Sequence, residues 1–176
     1  MQKKYKLTDK SIRINDKELY RIRAIMSFGN VSEGDLGGYV ENESNLEHFG
    51  NAWASGNAKV SGNAKVYGDA KVYGDAEVSG NAEVAGNAEV AGNAEIKNQS
   101  DYAVAQGFGS EFRATTFYRT KNGGIGVVCG CFCGTLKEFR EQVQKTYPED
   151  KKGKEYLALA NLMEYHFQGP DEKKER

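Results

Sequence analysis

Residues 107–118 have the types and spacing best suited to binding a ligand. Gly107 and Gly109 let backbone amides approach a ligand, while Ser110 and Arg113 add donors for an anion such as a phosphate. The predicted ligand-binding set is Gly107, Gly109, Ser110, Arg113, Thr115, Thr116 and Tyr118. The segment is not a Walker loop, because no Gly-Lys-Ser/Thr follows, and it is not a dinucleotide-binding fingerprint. A plain connection between two strands is the alternative interpretation.

Three cysteines form a second chemical cluster. Cys129, Cys131 and Cys133 alternate with Gly130 and Phe132 on what the sequence predicts to be one strand. On one face of a strand, successive sulfur atoms lie about 6 to 7 Å apart, too far to share a tetrahedral zinc ion. We therefore predict no metal site and interpret the cysteines as small buried apolar residues.

The elements that position these residues begin with a repeat. Residues 50–97 consist of eight six-residue units without insertion or deletion. In the unit 62–67, Gly62 and Asn63 form a corner, Ala64 and Val66 point inward, and the residues beside them point outward. A unit this short buries its apolar side only when neighbouring coils stack on it. The sequence therefore predicts a solenoid.

The charges of the repeat select the number of units in each coil. Three units per coil place Lys59 beside Glu77, Lys65 beside Glu83, Lys71 beside Glu89, and Glu47 beside Lys65. Two units per coil instead place like charges about 4.8 Å apart. We therefore predict coils of eighteen residues, with Glu77 beside Glu95 as the one pair of like charges.

An aliphatic residue followed four positions later by a small one, repeated every six residues, resembles the hexapeptide-repeat family of left-handed parallel β-helices. The resemblance implies a triangular coil of three hexads, and trimers are common in that family. Its enzymes are acyltransferases, which use a histidine general base beside a cleft between subunits, usually with a loop extruded from a coil.

Both histidines of the chain have a structural interpretation. His48 falls in a slot equivalent to the inward valine of later hexads, and His166 lies near the end of the last predicted helix, where a cation suits the helix dipole. No loop interrupts residues 50–97. We therefore predict no catalytic residue and no cofactor, with acyl transfer by His48 as the alternative.

The predicted fold is mainly β, with the left hand of the solenoid taken from the resemblance. Residues 1–37 form an N-terminal β cap with a hairpin turn at residues 15–17, and residues 38–97 form the solenoid, in which Val40 and Leu46 occupy the slot later held by alanine. Residues 98–168 form a small β-β-β-α-α module, with a capping box at Thr135 before a helix that ends at Pro148. Residues 169–176 form a charged disordered tail.

Outward-facing aromatic residues mark two sides of the predicted solenoid. Phe49 and Tyr67 lie on one side, and Trp53 and Tyr73 on the other. We predict that they form the subunit interface of a homo-oligomer, for which the resemblance favours a trimer. Isolated surface aromatics are the alternative interpretation.

Composition restricts the location and the partners. A formal charge of -1 and a pI near 6.2 show no excess of positive charge of the kind that nucleic-acid-binding proteins carry. The sequence has neither the apolar run of a signal peptide nor a stretch of transmembrane length, and its clustered, odd number of cysteines is a poor disulfide framework. We therefore expect a cytoplasmic protein that does not bind membranes.

The segment GDLGGYVE before the hexads, with TTFYRT, CGCF and GTLKEF after them, resembles uncharacterised small proteins carried by bacteriophages and prophages. This resemblance runs over most of the chain. With catalytic groups missing, we expect a non-enzymatic binding protein that blocks a host protein or sequesters a small anionic ligand, as an inhibitor of host defence does. An acyltransferase and a structural trimerisation stalk are the alternatives.

Overall fold

The computed structural model describes residues 2–168 and begins with an antiparallel hairpin. Strand β1 (Tyr5–Ile14) pairs with β2 (Lys17–Ala24), which pairs in turn with β3 (Leu36–Val40). Asn15 and Asp16 form the turn, with φ angles of 45° and 65°, in the left-handed region that such two-residue turns require. The predicted hairpin is confirmed, and the predicted tail, residues 169–176, lies outside the described residues.

Eight short strands follow along the repeat and stack into a parallel solenoid of about 3 turns. They are β4 (Trp53–Ala54), β5 (Lys59–Val60), β6 (Lys65–Val66), β7 (Lys71–Val72), β8 (Glu77–Val78), β9 (Glu83–Val84), β10 (Glu89–Val90) and β11 (Glu95–Ile96). The three sides of the coil have the strand orders β3-β5-β8-β11, β4-β7-β10 and β6-β9.

The register confirms coils of three hexads. Lys59 lies opposite Glu77, and Lys71 lies opposite Glu89. Their ammonium and carboxylate groups are 2.9 and 3.0 Å apart. Glu77 also lies opposite Glu95, the like-charge pair that the sequence predicts. Because these pairs are partly exposed, they specify the register more than they stabilise the fold.

The interior of the solenoid is a column of alanine and valine side chains. Ala58, Val60, Ala64 and Val66 are 0% exposed, and so are their equivalents in the later coils. Burial of each valine side chain contributes about 1.5 to 3 kcal/mol. The interior is therefore packed, so binding sites lie on the outer faces or in the flanking segments.

The first coil is longer than the later ones. Val40 lies opposite Val60 and Leu46 opposite Val66, so twenty residues separate each pair instead of eighteen. Both residues therefore occupy the valine slot, and the prediction that they occupy the alanine slot is wrong. The coils return to a separation of eighteen at Trp53, which lies opposite Lys71.

Two extra residues therefore lie in the corner between Leu46 and Trp53, which we call the expanded corner. His48 lies in this corner, so the prediction that it fills an inward valine slot is wrong. The predicted pair of Glu47 with Lys65 is also wrong, because the Glu47 amide donates to the Val66 carbonyl (2.9 Å). With Leu46 opposite Val66, Glu47 lies opposite Tyr67, two residues beyond Lys65.

The C-terminal module contains a four-stranded antiparallel sheet and two helices. The strands are β12 (Tyr102–Ala105), β13 (Thr115–Arg119), β14 (Ile125–Cys129) and β15 (Phe132–Thr135), in that order across the sheet, and the helices are α1 (Leu136–Thr146) and α2 (Lys151–Phe167). Both predicted helices are confirmed, and the predicted capping box joins Thr135 to Glu138. Among the described residues, neither helix has the length and hydropathy needed to cross a lipid bilayer.

The sheet of the module closes the end of the solenoid. Tyr118 and Val128 on one face join the alanine and valine core. Phe117 and Val127 on the other face pack under the two helices. The module is thus built onto the last coil, and this contact determines which of its residues remain accessible.

Candidate functional site

The loop between β12 and β13 places the predicted glycines against helix α2. The amide of Gly109 donates to the Glu155 carboxylate (2.9 Å to Oε2), and the amide of Ser110 donates to the Tyr156 hydroxyl (3.1 Å). Gly109 has a φ of +76°, and a Cβ there would overlap the Tyr156 ring, so only glycine fits. These two amides fix the loop to the helix, and the predicted use of them for an anion is not supported.

Three hydroxyl residues of the predicted set are packing residues. Thr116 Oγ1 accepts from the Glu89 amide (3.0 Å), and Thr115 Oγ1 donates to Cys129 Sγ (3.2 Å). Tyr118 faces the last coil, where burial raises the pKa of its hydroxyl. At most 2% of each of these three residues is exposed. The structure therefore does not bring them to a surface that a ligand reaches.

Ser110 and Arg113 do come together, at the rim of a cleft of about 530 Å³ on the surface of the module. We call it the C-terminal cleft; it lies between the loop before β13, the turn between β14 and β15, and helix α1. Arg113 Nη2 lies 3.8 Å from the carboxylate of Glu111, and both side chains are about half exposed or more. Because this ion pair is loose, the guanidinium keeps donors for a ligand.

Aromatic rings form the walls of the C-terminal cleft. Phe139 lies with its ring centroid 5.4 Å from that of Phe132 and 5.7 Å from that of Tyr156, and Tyr147 lies 6.1 Å from Tyr156. The sequence predicted both helices but did not indicate the cleft. Its walls come from a turn, the end of one helix and the start of another, so only the tertiary fold places them beside Arg113.

The cysteines have three different environments because their segment is a hairpin and not one strand. Gly130 has a φ of +60° and begins a two-residue turn that ends β14. Cys129 is half-buried, whereas Cys131 in the turn and Cys133 on β15 are exposed. The predictions of one shared face and of general burial are therefore wrong. Within residues 2–168, no group of three or more His, Cys, Asp or Glu is placed to hold a metal ion.

His48 is held by packing in the expanded corner. Its ring stacks on Tyr5 with centroids 4.3 Å apart, and its Nδ1 accepts from the Lys4 amide (3.3 Å). Burial lowers the pKa of His48, although the Glu43 carboxylate, 3.9 Å from Nε2, acts in the opposite direction. The ring lines neither the C-terminal cleft nor the groove on the solenoid, so the geometry does not favour it as a general base.

The four predicted interface residues have unequal access to a partner. Trp53 is buried beneath Phe28, with ring centroids 5.4 Å apart, and Tyr73 packs partly against the core. Tyr67 is partly exposed, and Phe49 in the expanded corner is 63% exposed. The N-terminal loop thus leaves little of Trp53 for a subunit contact.

A groove of about 610 Å³ runs along the β4-β7-β10 side, and we call it the solenoid groove. Lys71, Tyr73 and Glu89 lie on its floor, and residues 29–36 of the N-terminal segment form a wall. The sequence did not indicate this groove, because an irregular loop carries no periodic signal of where it packs.

Two of the recesses among the described residues thus suit binding, one aromatic with an arginine at its rim and one polar on the solenoid. Their side chains suit binding through charge, hydrogen bonds and ring contacts. Comparison of the chain with protein-family models and with curated proteins found no match.

Proposed function

We propose that this protein is a non-catalytic binding protein that sequesters a small anionic ligand in the C-terminal cleft. The observation that carries the proposal is the Arg113 guanidinium at the rim of an aromatic-walled recess of about 530 Å³. Small-molecule sites are typically recesses of about 300 to 1,000 Å³ with apolar walls and a few polar groups. The cleft has these properties.

The lining indicates the chemistry of the ligand. A planar guanidinium such as that of Arg113 pairs with a carboxylate or phosphate through two parallel hydrogen bonds. Phe132 and Tyr147 supply ring surfaces on which a flat group packs. The Ser110 hydroxyl, 3.4 Å from the Tyr156 hydroxyl, adds a neutral polar contact. The proposed ligand therefore carries both a flat ring and an acidic group, as a nucleotide does.

The proposed setting is the cytoplasm of a bacterial host. The resemblance to proteins carried by phages supports a role against that host, in which the protein withholds an anionic signal from its receptor and so inhibits host defence. Direct blockade of a host protein is the second form of this proposal, and the polar side chains of the solenoid groove favour contact with a protein surface.

Two substitutions in the cleft test the proposal. Arg113→Ala combined with Ser110→Ala removes the charged and the hydroxyl contact, at about 1.5 to 3 kcal/mol for the charge-assisted bond alone. A panel of nucleotides is first screened for one that binds the wild-type protein. The affinity of the double variant for that nucleotide, measured by titration calorimetry, is expected to be roughly 10- to 150-fold lower. Arg13→Ala, an exposed arginine in β1, is the matched control and is expected to leave binding unchanged.

Two results contradict the proposal. The first is a folded double variant that binds as well as the wild type, while reversal of the charges of Lys65 and Lys71 abolishes binding. That result would place the binding site on the solenoid. The other is turnover of acetyl-CoA by the pure protein that stops on substitution of His48, which establishes the acyltransferase alternative.

A further inference from the structure

Three recesses of the surface form one groove. The solenoid groove shares Asn87 and Glu89 with a neighbouring recess of about 480 Å³. That recess shares Arg113 with the C-terminal cleft. Because each boundary is formed by shared residues, the three recesses follow one another from the loop at residues 29–36 to the end of helix α1. We call this whole path the continuous groove.

The size of the continuous groove exceeds what one small molecule fills. Its three parts have volumes of about 610, 480 and 530 Å³. A single small-molecule site typically has about 300 to 1,000 Å³. The solenoid part also crosses strands of three successive coils, which are spaced about 4.8 Å apart. A long, narrow ligand uses this surface better than a compact one.

The charges along the groove differ between its two ends. At the solenoid end, Lys71 is neutralised by its ion pair with Glu89 (3.0 Å), which leaves the carboxylates of Asp35 and Asp69. At the other end, Arg113 stands beside the aromatic walls of the C-terminal cleft. The solenoid end therefore suits cationic groups, and the far end suits an aromatic group.

We propose that the continuous groove binds an extended peptide segment of a partner protein. Basic side chains of the segment lie over Asp35 and Asp69, and an aromatic side chain enters the C-terminal cleft. The inference rests on the proposed binding function, because one end of the continuous groove is the C-terminal cleft. It names an extended polypeptide of a host protein as a ligand of the same cleft.

The test uses a bead-displayed library of random heptapeptides and the full-length protein. Enriched peptides are expected to carry lysine or arginine at one end and phenylalanine, tyrosine or tryptophan at the other. The variant Asp35→Asn with Asp69→Asn keeps the side-chain shapes and removes both charges. An asparagine fits the position of Asp69, because Asn81 accepts from Asn63 at the equivalent place of another corner (3.0 Å). The affinity of an enriched peptide is expected to fall about tenfold in this variant.

The matched control is Asp16→Asn with Asp75→Asn. Asp75 accepts from an asparagine of the preceding coil as Asp69 does, but it lies outside the groove. Failure to enrich any peptide, enrichment without basic residues, or equal loss in the control overturns the inference. A nucleotide that binds the wild type and the Asp35→Asn, Asp69→Asn variant alike, with no peptide enriched, overturns the peptide inference and leaves the proposed function standing.

Discussion

Lys4 is the residue whose environment differs most from its sequence context. It belongs to a basic N-terminal stretch, yet it is only 2% exposed. Its ammonium group donates to the carbonyls of Phe49, Gly50 and Ala52 at 3.3, 3.3 and 2.8 Å. It also lies 4.8 Å from the centroid of the Phe28 ring. The buried ammonium group thus donates hydrogen bonds to carbonyl groups of the expanded corner, where the regular hydrogen bonding between coils is interrupted.

This environment predicts an unusual dependence of stability on pH. Burial lowers the pKa of Lys4 from 10.5 to about 8, so between these values the unfolded chain holds a proton that the folded chain has lost. The free energy of unfolding is therefore expected to rise by about 2 kcal/mol between pH 8 and 10. Above pH 10 it falls, because burial raises the pKa of Tyr73 to about 12 and also raises that of Tyr5. Denaturant unfolding at a series of pH values measures both limbs.

Lys4→Met supplies the control for this prediction. It removes the titrating group and is expected to abolish the rise between pH 8 and 10 while it preserves the fall above pH 10. A wild-type protein that loses stability steadily from pH 8 upward contradicts the assignment, and so does a variant that keeps the same rise.

At the scale of elements, both ends of the solenoid use the same short turn. A 3₁₀ turn at Glu43–Asn45 follows Asn42, and another at Gln99–Asp101 follows Asn98. In each turn the last side chain accepts from the amide of the preceding asparagine, at 2.8 Å. The shared Asn-x-Ser-Asn/Asp pattern marks where the hexads begin and end, since the turn satisfies backbone groups that no neighbouring coil pairs.

The stacked corners predict a difference between two equivalent glycines. Gly74 and Gly92 have φ angles of +73° and +59°, so alanine is strained at either position, by about 1 to 2 kcal/mol. A Cβ on Gly74 would also lie 2.9 Å from the amide nitrogen of Gly92 in the next coil, whereas a Cβ on Gly92 meets nothing within 4 Å. Gly74→Ala is therefore expected to lower the melting temperature more than Gly92→Ala. Equal melting temperatures would show that the corners are not stacked as described.

The sequence predicts some elements far better than others, for physical reasons. The hexads follow from a strict period, because an inward small residue and an inward aliphatic residue recur along the repeat and the charges, such as Lys59 opposite Glu77, select the register. The predicted slots of Val40 and Leu46 were wrong, because the hexads of the first coil are too irregular in sequence to show that a corner contains two extra residues. The cysteine segment is a hairpin because Gly130 adopts a positive φ in the turn. Glycine is also compatible with an extended strand, so the sequence alone did not indicate the turn. The clefts join segments distant in sequence, so no local pattern indicates them.

At the scale of the whole molecule, each end of the solenoid is covered by a flanking element. Strand β3 pairs with β5 at one end and carries the N-terminal hairpin with it. At the other end, the Tyr102 hydroxyl donates to the Glu83 carbonyl (2.8 Å), and Lys121 donates to the Asp75 carbonyl (2.8 Å). Covered ends suppress edge-to-edge association of solenoids. We therefore expect any self-association to use the lateral faces.

We propose that the protein forms a homo-oligomer, with a trimer favoured, through Phe49 and Tyr67. Phe49→Lys with Tyr67→Lys places charge on that face and is expected to produce a folded monomer. Light scattering measures the mass, and circular dichroism confirms the fold. Phe112→Lys, at another exposed aromatic residue, is the control and is expected to leave the mass unchanged. A monomeric mass for the wild-type protein at high concentration would contradict this proposal.

Sequestration of a small acidic ligand by the C-terminal cleft is tested by the identity of the small molecules that remain bound to the protein when it is purified from its host. Wild-type protein and the Arg113→Ala, Ser110→Ala variant are purified from the same host and denatured, and mass spectrometry identifies the released small molecules. We expect an acidic compound with a flat ring, in near-stoichiometric amount from the wild type and strongly depleted from the variant. Equal amounts of every acidic compound from the two proteins would contradict it.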